Sequence, residues 1–125
     1  MIQPSSMSLS TVKQCARKDT ELHKYCPVDR LLNLLSGPWT MYILWILQSQ
    51  GAMRFGALKR QVEGISTKVL TERLRMLESE GLIYRDYVPT VPPQVTYGLT
   101  ERMKDLTEVL EQLSTIAQRW YSQDL

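Results

Sequence analysis

One stretch restricts what this chain can fold into more than any other. Between Gly37-Pro38 and Gly51, the residues Trp39, Met41, Tyr42, Ile43, Leu44, Trp45, Ile46 and Leu47 are apolar at almost every position. Pro38 suits the start of a helix, from Trp39 to about Ser49, and Gly51 suits its end. A helix that is apolar nearly all round belongs in the centre of a fold. The run is interrupted by Thr40 and is far shorter than the ~20 residues a membrane span needs. Other elements must therefore wrap around it. A chain of 125 residues, 43% hydrophobic and 22% charged, can supply one such core and is not a disordered tail.

The flanking elements follow from local signals. Residues 1–10 are polar and Ser-rich, and residues 10–25 can hold a helix with Val12, Cys15 and Leu22 near one face. Tyr25-Cys26-Pro27 breaks it, because the residue before a proline avoids the helical region. Pro27 opens a helix carrying Val28, Leu31, Leu32 and Leu35, spaced for one buried face and ending at Ser36-Gly37. After Gly51 come a short strand at Met53-Arg54-Phe55 and a short helix over 57–62, which Gly64 ends. Ser66 is an N-cap candidate for a strong helix over 67–79 with Leu70, Leu74 and Leu77 inward. Residues 82–88 and 94–99 read as strands joined by the turn Pro89 to Pro93, and Thr100 caps a last helix running to about Tyr121. The expected fold is mainly α with a small β-hairpin, in the order of a winged helix-turn-helix with the hairpin as wing. Residues 1–25 form an extension, and 26–121 form the domain.

Net charge is only +2, but its distribution is uneven. From Arg54 to Arg75 six basic residues and two acids leave a net of +4, whereas Glu101 to Leu125 is net −2. A basic middle suits a polyanion, and the acidic end suits another partner.

Several of these stretches, in this order, resemble the HxlR family of bacterial winged-helix regulators, relatives of the MarR group. They are Cys26-Pro27-Val28, Gly37-Pro38-Trp39-Thr40, Arg54-Phe55-Gly56-Ala57-Leu58, the long run from Gly64 to Leu74, and Val91 to Thr100. The resemblance covers about 95 of the 125 residues. It implies dimeric DNA-binding proteins that control nearby genes, some of them in response to electrophiles or oxidants. Relatives often carry a basic residue where this chain has Pro38, and Arg where it has Gln94. The second departure implies a weaker charged grip by the wing on the minor groove.

A recognition helix needs one face to dock and the opposite face to carry donors. With the three leucines inward, Thr67, Lys68, Thr71, Glu72 and Arg75 are left largely outward. Ser66, Thr67, Lys68 and Thr71 are the base-contact candidates in the first turns. Arg73 and Arg75 are assigned to phosphates, with Arg54, Lys59 and Arg60 anchoring the backbone from the preceding elements. In the wing, Arg85 is the only basic side chain, and Thr90 and Gln94 offer polar contacts.

Met103, Leu106, Leu110, Leu113, Ala117 and Trp120 recur at alternating spacings of three and four, a heptad seam that predicts dimerisation through the terminal helices. Two-fold symmetry then predicts an inverted-repeat operator. The two cysteines, Cys15 and Cys26, form no framework of structural disulfides or metal ligands, and with His23 they lack a clear fourth ligand. Cys26 opens a helix, a place that favours the thiolate. The resemblance makes it a candidate redox or electrophile sensor, while a buried, inert cysteine is the plain alternative. If the two cysteines shared a continuous helix, eleven residues would separate them by roughly 16 Å. An intrachain disulfide would then need a bend, and an intersubunit one is equally open.

No signal-peptide pattern opens the chain, so a reducing cytoplasm is the expected setting. No cofactor, metal, membrane partner or enzymatic activity is expected. Two alternatives stand beside the DNA regulator. One is a regulator answering a small molecule held by Trp39, Tyr42, Trp45 and Tyr97. The other is a winged helix used only for protein contacts.

Overall fold

The computed structural model describes residues 26–122, which fall into parts of two compact units, Met1–Pro38 and Trp39–Leu125. In the first, helix α1 spans Pro27–Leu35 with Cys26 at its N-cap and Ser36 at its C-cap. Its bounds follow the sequence signals. Its apolar face does not end as expected: Val28, Leu31 and Leu32 are exposed, and no residue of α1 is buried. An amphipathic stripe fixes which face is apolar but does not supply the neighbour that covers it.

The second unit is built on α2, Thr40–Gln50, whose Thr40, Ile43, Leu44, Ile46 and Leu47 are buried. The helix begins one residue later than expected, because Trp39 stands outside it with φ 70° and ψ −10°. That left-handed conformation costs a non-glycine residue about 1–2 kcal/mol. The tip of the Trp39 indole lies 3.6 Å from where a Cβ on Gly64 would sit. Gly64 itself, at φ 91°, turns the chain toward the helix that starts at Thr67. Met41 and Trp45 are half-covered and Tyr42 is exposed, so α2 is central without being enclosed on every side.

Strand β1 (Met53–Arg54) leads into α3 (Phe55–Gln61), and α4 (Thr67–Ser79) follows. Leu58, Val62, Ile65, Leu70, Leu74 and Leu77 from this stretch are all buried. Strands β2 (Ile83–Val88) and β3 (Gln94–Leu99) form the hairpin, and β1 adds to the far side of β3 to give an antiparallel sheet in the order β1-β3-β2. The β1–β3 pairing, Met53 opposite Tyr97 and Arg54 opposite Thr96, has no signal in the sequence because two residues carry no periodicity. The Thr100 hydroxyl donates to the Gly81 carbonyl and the Thr100 N–H to the Leu82 carbonyl, tying the end of α4 to the chain leaving the sheet. The expected single C-terminal helix is divided: a 3-10 turn, Glu101–Met103, precedes α5, Lys104–Tyr121. Among the described residues no helix is long and apolar enough to cross a membrane.

The hairpin holds one close approach. Gly98 faces Tyr84 across the β2–β3 register, and a Cβ on Gly98 would overlap the Tyr84 ring. Gly98→Val is expected to push that ring out into solvent and, because Tyr84 is already exposed, to lower stability by no more than about 1 kcal/mol. Denaturant melts of the two proteins under identical conditions measure the difference.

Candidate nucleic-acid interface

Helix α4 is fixed at both ends of its first turn. The Ser66 hydroxyl accepts a hydrogen bond from the Val69 N–H at 3.1 Å, one of the N–H groups a helix start leaves without partners. Leu70, Leu74 and Leu77 then set its rotation. Positions four and three apart share a face, so Lys68, Glu72 and Arg75 line the opposite, solvent-exposed stripe. Ser66 and Thr67 are exposed at the same end. Thirteen residues make a helix roughly 20 Å long, enough to lie in a major groove ~12 Å wide.

Two candidates differ from that stripe in burial. Arg73 is half-buried, and its Nε is buried without a hydrogen-bond partner among the described residues. It lies on the flank of α4, whereas Arg75 stands out in solvent. Thr71 is also half-buried and lines a cleft on the side of the helix facing the wing.

That cleft, about 450 Å³, is lined by Thr71, Arg75 and Glu78 of α4, by Arg85, Val95 and Tyr97 of the hairpin, and by Phe55. The alternation of a strand explains its inner wall. Arg85 pairs with Tyr97 and Tyr87 with Val95, so all four side chains share one face of the sheet. The Arg85 guanidinium carbon stands 5.5 Å from the centre of the Tyr87 ring, a cation–π distance. Phe55, Glu78 and Val95 join the site with no signal in the sequence for that role, because nothing local connects α3, α4 and β3 across one cleft. At the tip of the wing Val91 is fully exposed, and the Thr90 hydroxyl donates to the Pro92 carbonyl at 2.8 Å. Gln94 is half-buried at the start of β3.

Arg54 is exposed on β1 at the start of α3, Arg60 is exposed on α3, and Lys59 is half-buried. Among the described residues, none of Arg54, Lys59, Arg60, Lys68, Arg75 and Arg85 forms an ion pair, whereas Lys104 pairs with Glu101 at 2.7 Å on the chain's last helical segment. Basic groups without acidic partners leave their charge available to an anion.

The expected seam on the last helix divides. Met103 and Leu110 are buried in their own unit, Leu106 is half-buried, and Leu113, Ala117 and Trp120 are exposed. Val109 and Tyr121 join the exposed apolar set, with Trp120 and Tyr121 meeting edge to face at 6.2 Å. The aromatic residues considered for a ligand do not gather. Tyr42 and Trp45 line a groove of about 360 Å³ against α5, Tyr97 lines the α4–wing cleft, and Trp39 packs near Gly64.

Cys26 is buried and disulfide-bonded. Cys15 lies outside the described residues, as does the helix expected over 10–25.

These features match known proteins. The HxlR-like helix-turn-helix family model matches residues 34–125. An HTH-type transcriptional regulator of Synechocystis, sll1512, is 38% identical over 99 residues, covering 79% of this chain and 73% of its own length. The redox regulator HypR, solved in its oxidised form, superposes with a TM-score of 0.67 at 33% identity, covering 75% of this chain and 96% of HypR. The reduced form of the transcriptional regulator YodB from Bacillus subtilis gives a TM-score of 0.64 at 32% identity, covering 75% of this chain and 92% of YodB. These relatives are transcription regulators and not enzymes. With the capped helix, the hairpin wing and the three-stranded sheet in the family's order, the chain belongs to the HxlR-like helix-turn-helix family and is a transcriptional regulator built on a winged helix-turn-helix.

Proposed function

We propose that this regulator binds an inverted-repeat operator as a homodimer, with α4 in the major groove and the wing against the adjacent backbone. One observation carries the reading: the exposed stripe of α4, capped by Ser66 and carrying Lys68 and Arg75, stands beside a wing whose Arg85 also has no acidic partner among the described residues. Ser66, Thr67 and Lys68 reach base edges. Arg54, Lys59, Arg60 and Arg75 take phosphates, with half-buried Arg73 a weaker candidate. Two-fold symmetry places the half-sites about one turn, ~34 Å, apart.

Fluorescence anisotropy with the DNA upstream of the gene, at two salt concentrations, tests it. Specific binding that falls steeply with salt supports the reading, and binding no tighter than to random duplex counts against this operator. Arg75→Ala is expected to weaken binding to all sequences alike and to reduce the salt slope by about one unit. An unchanged slope removes Arg75 from the phosphate contacts.

The same protein is proposed to answer oxidants or electrophiles through Cys26. The supporting observation is that Cys26 is disulfide-bonded and forms the N-cap of α1. HypR has been solved oxidised and reduced, and YodB reduced and after diamide treatment. Diamide is expected to change the operator affinity of the reduced wild-type protein and to leave that of Cys26→Ser unchanged. Equal responses of the two proteins exclude Cys26 as the sensor.

A further inference from the structure

The cleft between α4 and the wing is more than the space between two DNA-contacting elements. Three residues that carry hydrogen-bond donors line it from two walls: Thr71 and Arg75 from the helix, and Arg85 from β2. The remaining lining is a mix of ring and apolar surface, with Phe55 and Tyr97 among it, and one acid, Glu78. Two guanidiniums and one carboxylate leave the cleft cationic. Neither arginine is paired with Glu78, or with any other acid, among the described residues. The Tyr87 ring gives the Arg85 guanidinium a cation–π neighbour that leaves its charge uncancelled.

Resting on the proposed DNA binding, we propose that this cleft seats one backbone phosphate of the operator. Thr71, Arg75 and Arg85 donate to its oxygens together, and the Phe55 and Tyr97 rings lie along the neighbouring sugar. A tetrahedral anion with several free oxygens suits two arginine forks and a hydroxyl. Thr71 borders the stripe of Lys68 and Arg75 on its wing side and is half-buried there, which suits a phosphate held against the hairpin better than a base edge deep in the groove. Thr71 thereby leaves the base-reading set and becomes a positioning contact that sets how α4 enters the groove. Glu78, on the same wall as Arg75, opposes the anion and holds affinity down.

The test uses the full chain and an operator selected by the protein from a randomised duplex pool. Methylphosphonate, an uncharged replacement, is placed at one phosphate at a time, and binding is read by anisotropy. One position in each half-site is expected to weaken wild-type binding about tenfold or more, the scale of a charge-assisted hydrogen bond. At that position Thr71→Val, Arg75→Ala and Arg85→Ala are each expected to lose most of the methylphosphonate effect, because the contact is already gone. At other positions they keep it. Glu78→Gln is expected to tighten binding severalfold without changing base preference. Thr71 and both arginines coupling to the same phosphate establishes the seat. Arg75 and Arg85 coupling to different phosphates, or Thr71→Val altering base preference in a repeated selection, overturns it while leaving DNA binding intact. Failure to select any duplex overturns the DNA-binding reading itself.

Discussion

Leu74→Ala is expected to lower the unfolding free energy by about 3 kcal/mol, within the 2–5 kcal/mol range of leucine truncations in cores. Leu74 is 1% exposed and sits between Leu70 and Leu77 on the face that docks α4. The loss is large against the ~5–15 kcal/mol that holds a typical domain together. It falls on the helix whose rotation presents Lys68 and Arg75. Urea unfolding followed by circular dichroism gives the stability change. A loss below about 1 kcal/mol would mean that the site collapses around the smaller side chain, since the cost of such a cavity depends on how far its walls relax. Arg75→Ala, on the opposite and exposed face, is expected to leave stability within ~0.5 kcal/mol, as surface changes usually do. Comparing the two variants separates the docking face of α4 from its binding face.

Where several physical signals coincide, the chain is readable without its structure. The bounds of α4 at Thr67 and Ser79 follow from a capping serine, three leucines at helical spacing and a closing glycine. Strand β3 at Gln94–Leu99 is marked by the prolines before it and the threonine after it. Legibility ends where a feature depends on the partner of an element. Nothing in Met53-Arg54 announces that it will pair with Tyr97 and Thr96. Helical spacing places Thr71 outside the leucine face, but only the arrival of β2 and β3 turns that flank into a cleft with Arg85. The left-handed Trp39 is another case, because a tryptophan after a proline gives no warning of φ 70°. The heptad on the last helix is a milder one. The spacing is present, but a 3-10 turn consumes Met103, and the core of its own unit claims Leu110. Periodicity records which residues share a stripe. Whether the stripe meets its own domain or another molecule is decided by packing.

That division of the stripe yields the second large effect. Leu113→Asp is expected to produce a folded monomer, and Leu110→Asp is expected to unfold the protein. Leu110 is 5% exposed, so an aspartate there would bury a charge without a partner, among the costliest single changes. Leu113, one turn along α5, is 45% exposed in the isolated chain, beside exposed Ala117 and ahead of Trp120 at 66%. An aspartate there meets water in the monomer and costs the fold little. In the proposed homodimer the same change would place a charge within an apolar interface. If Leu113 is a central contact, the loss is expected at about 2–4 kcal/mol or more, or roughly 30- to 1,000-fold in dimer affinity. Sedimentation velocity across a dilution series, with circular dichroism on the same samples, checks both variants. A Leu113→Asp protein that remains a tight dimer would show that the exposed end of α5 is not the interface. A folded monomer that has also lost operator affinity would tie dimerisation to DNA binding, since a single half-site carries only half of the contacts.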